Sequence, residues 1–166
     1  QYKTRKETIN ASKNVSFNLQ RGEILGIVGE SGSGKSVTAL SLMRLVPSPP
    51  GNIVGGEVML NGRDTLQISE SEMRQVRGGE ISMILQDPMT ALNPVFNIED
   101  QVGEAIRIHQ KLRGTSLVDR IVNALKQVRI PAPEARMKDY PHQLSGGMRQ
   151  RVVGAIGISC APLVLI

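Results

Sequence analysis

The chain has 166 residues, 40% hydrophobic and 21% charged, which allows one domain with a buried core and excludes a disordered chain. A single cysteine excludes a disulfide framework, and with only 2% aromatic residues the net charge of +5 is not accompanied by a stacking platform for single-stranded nucleic acid. Residues 1–5 are too polar for a secretory leader, and the apolar stretch 152–166 is shorter than the ~20 residues of a membrane span. We therefore expect a cytosolic protein with an affinity for phosphates and no nucleic-acid partner.

The first elements alternate between apolar strands and a helix. Apolar and polar residues alternate over 15–19, which predicts a half-buried strand, and the continuous apolar run 24–28 predicts a strand buried on both faces. A glycine-rich loop follows at 29–36. Residues 37–46 have helical spacing, and the prolines of 47–52 must end that helix.

Shorter elements follow in the middle of the chain. Residues 56–63 predict a strand that enters an Asn-Gly turn, and 70–77 predict a polar helix. The apolar run 81–86 predicts a further strand, and 87–94 are dense in turn residues. From 98 to 129 the apolar period is helical throughout, which predicts two or more helices.

The last part of the chain predicts a linker at 130–135, a helix that opens within 144–151 and runs to about residue 160, and an apolar strand at 163–166. Pro162 separates that helix from the strand. The order of elements predicts an α/β nucleotide-binding core interrupted by a helical insertion.

Residues 29–36, GESGSGKS, match the P-loop pattern G-x-x-x-x-G-K-[ST]. The glycines leave backbone N–H groups free to surround phosphates, Lys35 reaches the β- and γ-phosphates, and the Ser36 hydroxyl ligates Mg²⁺. The alternative is a flexible Gly/Ser turn, but the position between a predicted strand and a helix favours the nucleotide. The predicted phosphate-binding residues are Gly29, Glu30, Ser31, Gly32, Ser33, Gly34, Lys35, Ser36 and Val37.

The segment 143–151, QLSGGMRQR, separates the classes of P-loop protein, because here the chain resembles the ATP-binding cassette (ABC) family. Gly146 and Gly147 allow close approach of a phosphate, and Ser145 can cap the helix and donate to the γ-phosphate. The resemblance implies that this signature acts in trans, on ATP held by the P-loop of a second cassette. An ordinary Ser N-cap followed by a flexible Gly-Gly is the alternative.

Two more residues gain a role from the resemblance. Gln86 falls where the family has a glutamine that contacts Mg²⁺ and the attacking water and links them to the membrane subunits, so it is predicted as a metal ligand and catalytic residue together with Lys35. Tyr2 lies upstream, where the family has an aromatic residue that stacks on adenine. Without the resemblance, both would be unremarkable polar or surface residues.

The segments GESGSGKS, LQDPMTALNP and YPHQLSGGMRQR together are similar to the ATPase subunits of bacterial peptide and nickel importers. The fold implied is an α/β P-loop NTPase (RecA-like) core with an N-terminal antiparallel β part and a helical insertion subdomain. In this division, 1–86 hold the β part and the P-loop core. Residues 87–150 hold the Q-loop and the helical subdomain with the signature, and 151–166 hold the signature helix and the start of the next strand.

The function implied by the resemblance is coupling of ATP binding and hydrolysis to import of peptides or nickel, with ATP and Mg²⁺ as cofactors. The implied partners are a second ABC ATPase subunit, two membrane-spanning permeases and an external substrate-binding protein, at the cytoplasmic face of a bacterial or archaeal membrane. A soluble ABC ATPase of DNA repair or translation is the alternative. A P-loop kinase or GTPase is a third class, and the signature segment argues against it.

The chain also holds His109 and His142. Nothing in the sequence pairs either histidine with a nucleophile, so a surface or packing role is favoured over catalysis.

The resemblance further implies that an Asp and a Glu follow the strand 163–166, and the sequence ends before either acid. Mg²⁺ would then depend on Ser36 and Gln86 alone. We expect the 166-residue chain to bind ATP weakly and to hydrolyse it negligibly, because loss of a positioned base removes a ~10²–10⁴-fold contribution to the rate. Steady-state ATP turnover equal to that of an intact cassette would contradict this expectation.

Overall fold

The computed structural model describes residues 1–3, 7–86 and 91–166, which fall into two compact units, Gln1–Ser69 and Glu70–Ile166. The turn-rich segment predicted at 87–94 lies partly outside the described residues, at 87–90. The first unit contains, in chain order, β1 (Tyr2–Lys3), β2 (Thr8–Ile9), α1 (Lys35–Leu42), β3 (Met59–Leu60) and β4 (Arg63–Asp64).

Strands β1 and β2 pair antiparallel, and so do β3 and β4. The β3–β4 hairpin turns at Asn61 and Gly62, which both have positive φ (49° and 79°), as a two-residue hairpin turn requires. The predicted strand into an Asn-Gly turn is thereby confirmed. Asp64 closes the hairpin: its Oδ1 accepts from the backbone N–H groups of Val58 (3.1 Å) and Leu66 (3.0 Å), which hold the pKa of this carboxyl below its ordinary value.

Two predicted strands are wrong. In the described part of the chain, neither 15–19 nor 24–28 is a strand, and both segments are exposed along their whole length. Ile24 is 96% exposed and Val28 is 93% exposed, so the prediction of burial on both faces is also wrong. The physical reason is that apolar patterning shows what a strand could bury, whereas pairing and burial need neighbouring strands that these segments lack among the described residues.

The helix predicted at 37–46 is α1, but its bounds differ. It begins at Lys35, directly after Gly34, and ends at Leu42, before the prolines. Arg44 has φ 52°, a left-handed conformation that ends the helix, and the N–H of Leu45 bonds back to the Leu40 carbonyl (2.9 Å).

The second unit is mainly helical, as the period of 98–129 predicts. Its elements are α2 (Glu70–Gly79), β5 (Ile81–Ser82), α3 (Ile98–His109), α4 (Gly114–Gln127), α5 (Pro133–Arg136), a 3₁₀ turn (Pro141–Gln143), α6 (Gly146–Ile158) and β6 (Val164–Leu165). The segment predicted as a linker, 130–135, contains the start of α5, because Pro133 takes a first-turn position where a proline costs no hydrogen bond. Within the part of the chain that the structure describes, every helix falls short of the length and apolar character that a membrane span requires.

Helices α3, α4 and α6 share one buried apolar cluster. Gly103 on α3 allows close packing, since a Cβ there would lie 3.0 Å from Cδ1 of Ile121 on α4. The largest side chains that these helices bury are Ile98, Val102, Ile106, Ile121, Leu125 and Val152. Side chains from three helices interlock here, so this cluster determines where α6 lies within the second unit.

The segments predicted as strands at 81–86 and 163–166 each contain a strand, but a shorter one: β5 and β6, which pair in parallel with Ile81 opposite Val164. The pairing continues past the strands: the N–H of Ile84 donates to the Ile166 carbonyl (2.8 Å). Helix α6 covers this pair at Gly157, where a Cβ would lie 3.1 Å from the side chain of Ile84. A parallel pair joined through helices is the arrangement of an α/β fold.

Replacing Ile121 with alanine tests the shared cluster. Ile121 is fully buried between α3 and α4, so Ile121→Ala should lower the free energy of unfolding by about 2–5 kcal/mol. Urea unfolding followed by helical circular dichroism measures the change. Val118→Ala on the same helix, where the side chain is 37% exposed, should cost clearly less; equal losses would contradict the assignment of the cluster.

Candidate functional site

The glycine-rich loop, residues 29–36, leads directly into α1. The N–H of Ser33 donates to the Glu30 carbonyl (3.2 Å), which closes a turn. Gly32 and Gly34 have φ of 82° and 93°, a backbone conformation that residues with a Cβ rarely adopt. The turn therefore brings the chain into the first turn of α1, where the backbone N–H groups have no partner within the helix and favour an anion.

Gly34 is constrained twice, because a Cβ at this position would lie only 2.2 Å from the Ala11 carbonyl oxygen. The next residue after Ala11 also contacts the helix: the hydroxyls of Ser12 and Thr38 lie 3.0 Å apart, and Thr38 Oγ1 donates to the Gly34 carbonyl (2.9 Å). Sequence reasoning missed Ser12 and Thr38. The position of Thr38 in the first turn of the helix could have indicated a bond from its hydroxyl back to the loop. The contact of Ser12 could not be predicted, because Ser12 is too distant in sequence.

Lys35 is folded back over the loop. Its Nζ donates to the carbonyls of Gly29 and Glu30 (2.7 Å each) and contacts Ser33 Oγ at 3.3 Å. These oxygens match the three donors of an ammonium group. The positive charge of Lys35 is thus held beside the loop, where the backbone N–H groups at the start of α1 also favour an anion. The donor set, a cation with backbone amides, fits the phosphates of a nucleotide.

The other predicted residues of the first unit lie as follows. Ser36 is exposed on the first turn of α1. Tyr2 in β1 pairs with Ile9, and its ring lies against Gly51, where a Cβ would come 3.2 Å from Cε1. The structure therefore holds the Tyr2 ring on one side through Gly51.

The predicted signature lies at the start of α6. Ser145 is the N-cap, and its Oγ accepts from the N–H of Met148 (3.3 Å), so the predicted capping role is confirmed. Gly146 and Gly147 are exposed, and no other described part of the chain comes within 4 Å of a Cβ built on either. The first turn of α6 is thus open to a ligand or a partner chain.

The loop before the signature is held on both sides. The N–H of Tyr140 donates to Gln143 Oε1 (2.7 Å), and Leu144 is buried in the cluster of α3, α4 and α6. On the helix side, Arg151 Nη1 donates to the Arg129 carbonyl (2.9 Å), which connects the first turns of α6 to the chain just beyond α4. The open first turn is therefore presented by a rigid support.

Gln86 follows β5 by four residues and is exposed. The strand pair holds the chain in front of it through the bond from Ile84 N–H to Ile166. Gln86 and Ser145 belong to the second unit, and Tyr2, Lys35 and Ser36 to the first. The two histidines have packing contacts: His142 stacks on Tyr140 (ring centroids 5.8 Å apart, planes inclined by 19°), and His109 lies against Gly78 and Gly79.

Comparison with known proteins gives a family. The sequence profile of the family described as ABC transporter matches residues 12–166. A probable peptide ABC transporter ATP-binding protein of Sinorhizobium fredii is 50% identical over 152 residues, which cover 92% of this chain and 45% of that protein. The oligopeptide transport ATP-binding protein OppD of Bacillus subtilis is 47% identical over 165 residues, 99% of this chain and 46% of that protein.

A glutathione import ATP-binding protein of Salmonella choleraesuis is 51% identical over 165 residues, 96% of this chain and 26% of that protein. The chain thus spans less than half the length of these relatives. Among solved structures, a dimeric ATP-binding cassette in a post-hydrolysis state, bound to ADP and Pi, superimposes with a TM-score of 0.83 at 28% identity, over 99% of this chain and 68% of that one. The predicted α/β P-loop class of fold is confirmed.

Replacing Lys35 with alanine tests the phosphate loop. Because a hydrogen bond to a charged group contributes ~1.5–3 kcal/mol, Lys35→Ala should weaken binding of ATP about tenfold to hundredfold. Titration with a fluorescent ATP analogue measures the change. Lys13→Ala removes an exposed lysine of the same unit and should bind like the unmodified chain; unchanged affinity in Lys35→Ala would exclude the loop as the phosphate site.

Proposed function

Because this chain belongs to the ABC transporter family, we propose that it is the nucleotide-binding part of an ATPase subunit that couples ATP binding and hydrolysis to import of peptides. The open, serine-capped first turn of α6, in a chain whose lysine-bearing loop fits phosphates, is the observation that carries the proposal. The names of the relatives, which mention peptides, oligopeptides and glutathione, support peptides over nickel as the substrate class.

In this proposal, ATP binds at residues 29–37 of one subunit. Lys35 exchanges its loop carbonyls for phosphate oxygens, since its contacts with Gly29 and Glu30 are hydrogen bonds that a phosphate can replace. In the roles that the family resemblance implies, the Ser36 hydroxyl would be a ligand of Mg²⁺, and Gln86 would serve the metal and the attacking water. Tyr2 stacks on adenine, as the aromatic residue at this place does in the family.

Ser145, Gly146 and Gly147 act on the ATP of a second subunit. The exposed glycines support this role, because the first turn of α6 can approach a phosphate without steric hindrance. The dimeric state of the similar cassette supports a pair of subunits. Closing the pair over ATP would bring together a cationic loop and a helix N-terminus, and each supplies backbone donors to the same phosphates.

The remaining assignments follow the family. We propose that residues 1–86 form the β part and P-loop core, 87–150 the Q-loop and helical subdomain, and 151–166 the signature helix and the next strand. The partners are two permeases and an external substrate-binding protein, and the subunit lies at the cytoplasmic face of the membrane. Movement would reach the permeases through the region of Gln86 and helices α3 and α4.

Mixed dimers of the complete transporter test action in trans. Lys35→Ala inactivates one phosphate loop, and Ser145→Arg places a bulky cation on the open turn of α6. Each variant alone should lose ATP hydrolysis about a hundredfold or more, as removal of a donor to the reacting phosphate does. A dimer of one Lys35→Ala and one Ser145→Arg subunit retains one intact site only if the signature serves the opposite loop, so it should regain about half of the hydrolysis.

Gln150→Arg adds the same charge to an exposed position of α6 beyond the first turn and serves as the control. Co-purification with two membrane-spanning subunits separates a transporter from a soluble ABC ATPase. A mixed dimer as inactive as its parents, or a subunit that never co-purifies with permeases, would refute the proposal.

A further inference from the structure

The imidazole of His109 lies along the backbone of Gly78 and Gly79. A Cβ on Gly78 would come 2.8 Å from Nε2, and a Cβ on Gly79 would come 3.2 Å from Nδ1. The two nitrogens lie on different parts of the ring, so the imidazole spans both residues. A Cβ on Gly78 would force the ring to shift, and a Cβ on Gly79 would displace it by a few tenths of an ångström, so the two glycines let the ring lie this close.

The glycine pair is the point at which α2 changes into β5. Arg77 (ψ 117°) and Gly78 (φ 84°) leave the helical conformation, and strand β5 begins three residues after Gly78. Glu80, next in the chain, accepts from the N–H groups of Leu163 (2.8 Å) and Val164 (3.1 Å). The segment under the ring therefore leads directly into β5 of the parallel pair, and Gln86 follows β5 by four residues.

His109 is the last residue of α3, and α3 is firmly held at its other end. Asn97 caps it by accepting from the Asp100 N–H (2.7 Å), and the N–H of Ile98 donates to the Asp139 carbonyl (2.9 Å). Three buried residues of α3 belong to the apolar cluster: Ile98, Val102 and Ile106. A displacement of α3 is thus carried to its last residue, where the ring meets the glycine pair.

We propose that His109 is a positioning residue that couples helix α3 to strand β5 and the segment that leads from it to Gln86. The ring transmits a change in the position of α3 to the start of β5 by direct contact. The inference rests on the proposed function, because it assigns this contact to communication between the permeases and the ATPase site. The contact itself belongs to the second unit alone and can be measured without transport.

The first experiment measures position. Spin labels are attached to Gln86→Cys and Glu104→Cys in the purified protein, with Cys160→Ser to remove the native cysteine. Double electron–electron resonance then measures the distance between the segment after β5 and an exposed site on α3. His109→Ala should broaden the distance distribution at least twofold. Ile108→Ala, at the neighbouring and 55% exposed position, should leave it unchanged.

A second variant tests the same contact in case His109→Ala does not fold. Gly79→Ala adds a methyl group 3.2 Å from Nδ1 at a residue without positive φ, so it should shift the mean distance while the ring is present. In the double variant with His109→Ala the shift should disappear, because the methyl group then has room. Distributions like those of the unmodified protein in both single variants would overturn the proposal.

The second experiment measures coupling in the transporter assembled with its permeases. His109→Ala should keep the KM for ATP within about twofold and reduce the ratio of solute-stimulated to basal hydrolysis about fivefold, as loss of a contact between coupled sites does. Unchanged stimulation together with a broadened distance would overturn the coupling role. Absence of transport by the unmodified assembly would instead refute the proposed function, and the distance measurement would still decide whether His109 positions the strand.

Discussion

The buried contact among α3, α4 and α6 is the interaction on which the second unit depends. It fixes the axis of α6, and with it the direction in which the first turn, capped by Ser145, presents its backbone donors. The same cluster holds α3, whose last residue meets the glycine pair before β5. One set of apolar side chains therefore supports both the first turn of α6 and, through α3, the start of strand β5.

The first unit uses another kind of constraint. Here the important contacts are polar and local: Lys35 with its own loop, Thr38 with Gly34, and Ser12 with Thr38. Gly34 can take its position only without a Cβ, because the Ala11 carbonyl occupies that space. The glycine-rich loop is thus shaped by backbone geometry and hydrogen bonds, whereas the second unit is shaped by side-chain packing.

Features that depend on neighbours in sequence could be predicted, and features that depend on distant partners could not. The helical period of 98–129, the hairpin at Asn61-Gly62 and the Ser145 cap are local, and the structure has all of them. The strand predicted at 24–28 is wrong because a strand needs other segments to pair with, and the described residues provide none beside 24–28. For the same reason the sequence contained no sign that His109 meets residues about thirty positions earlier, or that Ser12 contacts Thr38.

The contacts of Lys35 also bear on which anions the loop will accept. The ammonium group of Lys35 is already bonded to two carbonyls and a hydroxyl of the loop. An incoming anion must therefore compete with these oxygens for the ammonium group. A chloride ion or a lone carboxylate offers few oxygens or none in return, and gains little by displacing those bonds. A polyphosphate offers several charged oxygens at once, so its hydrogen bonds to Lys35 more than replace those that are lost. The contacts of Lys35 therefore favour anions that offer several charged oxygens over those that offer one or none.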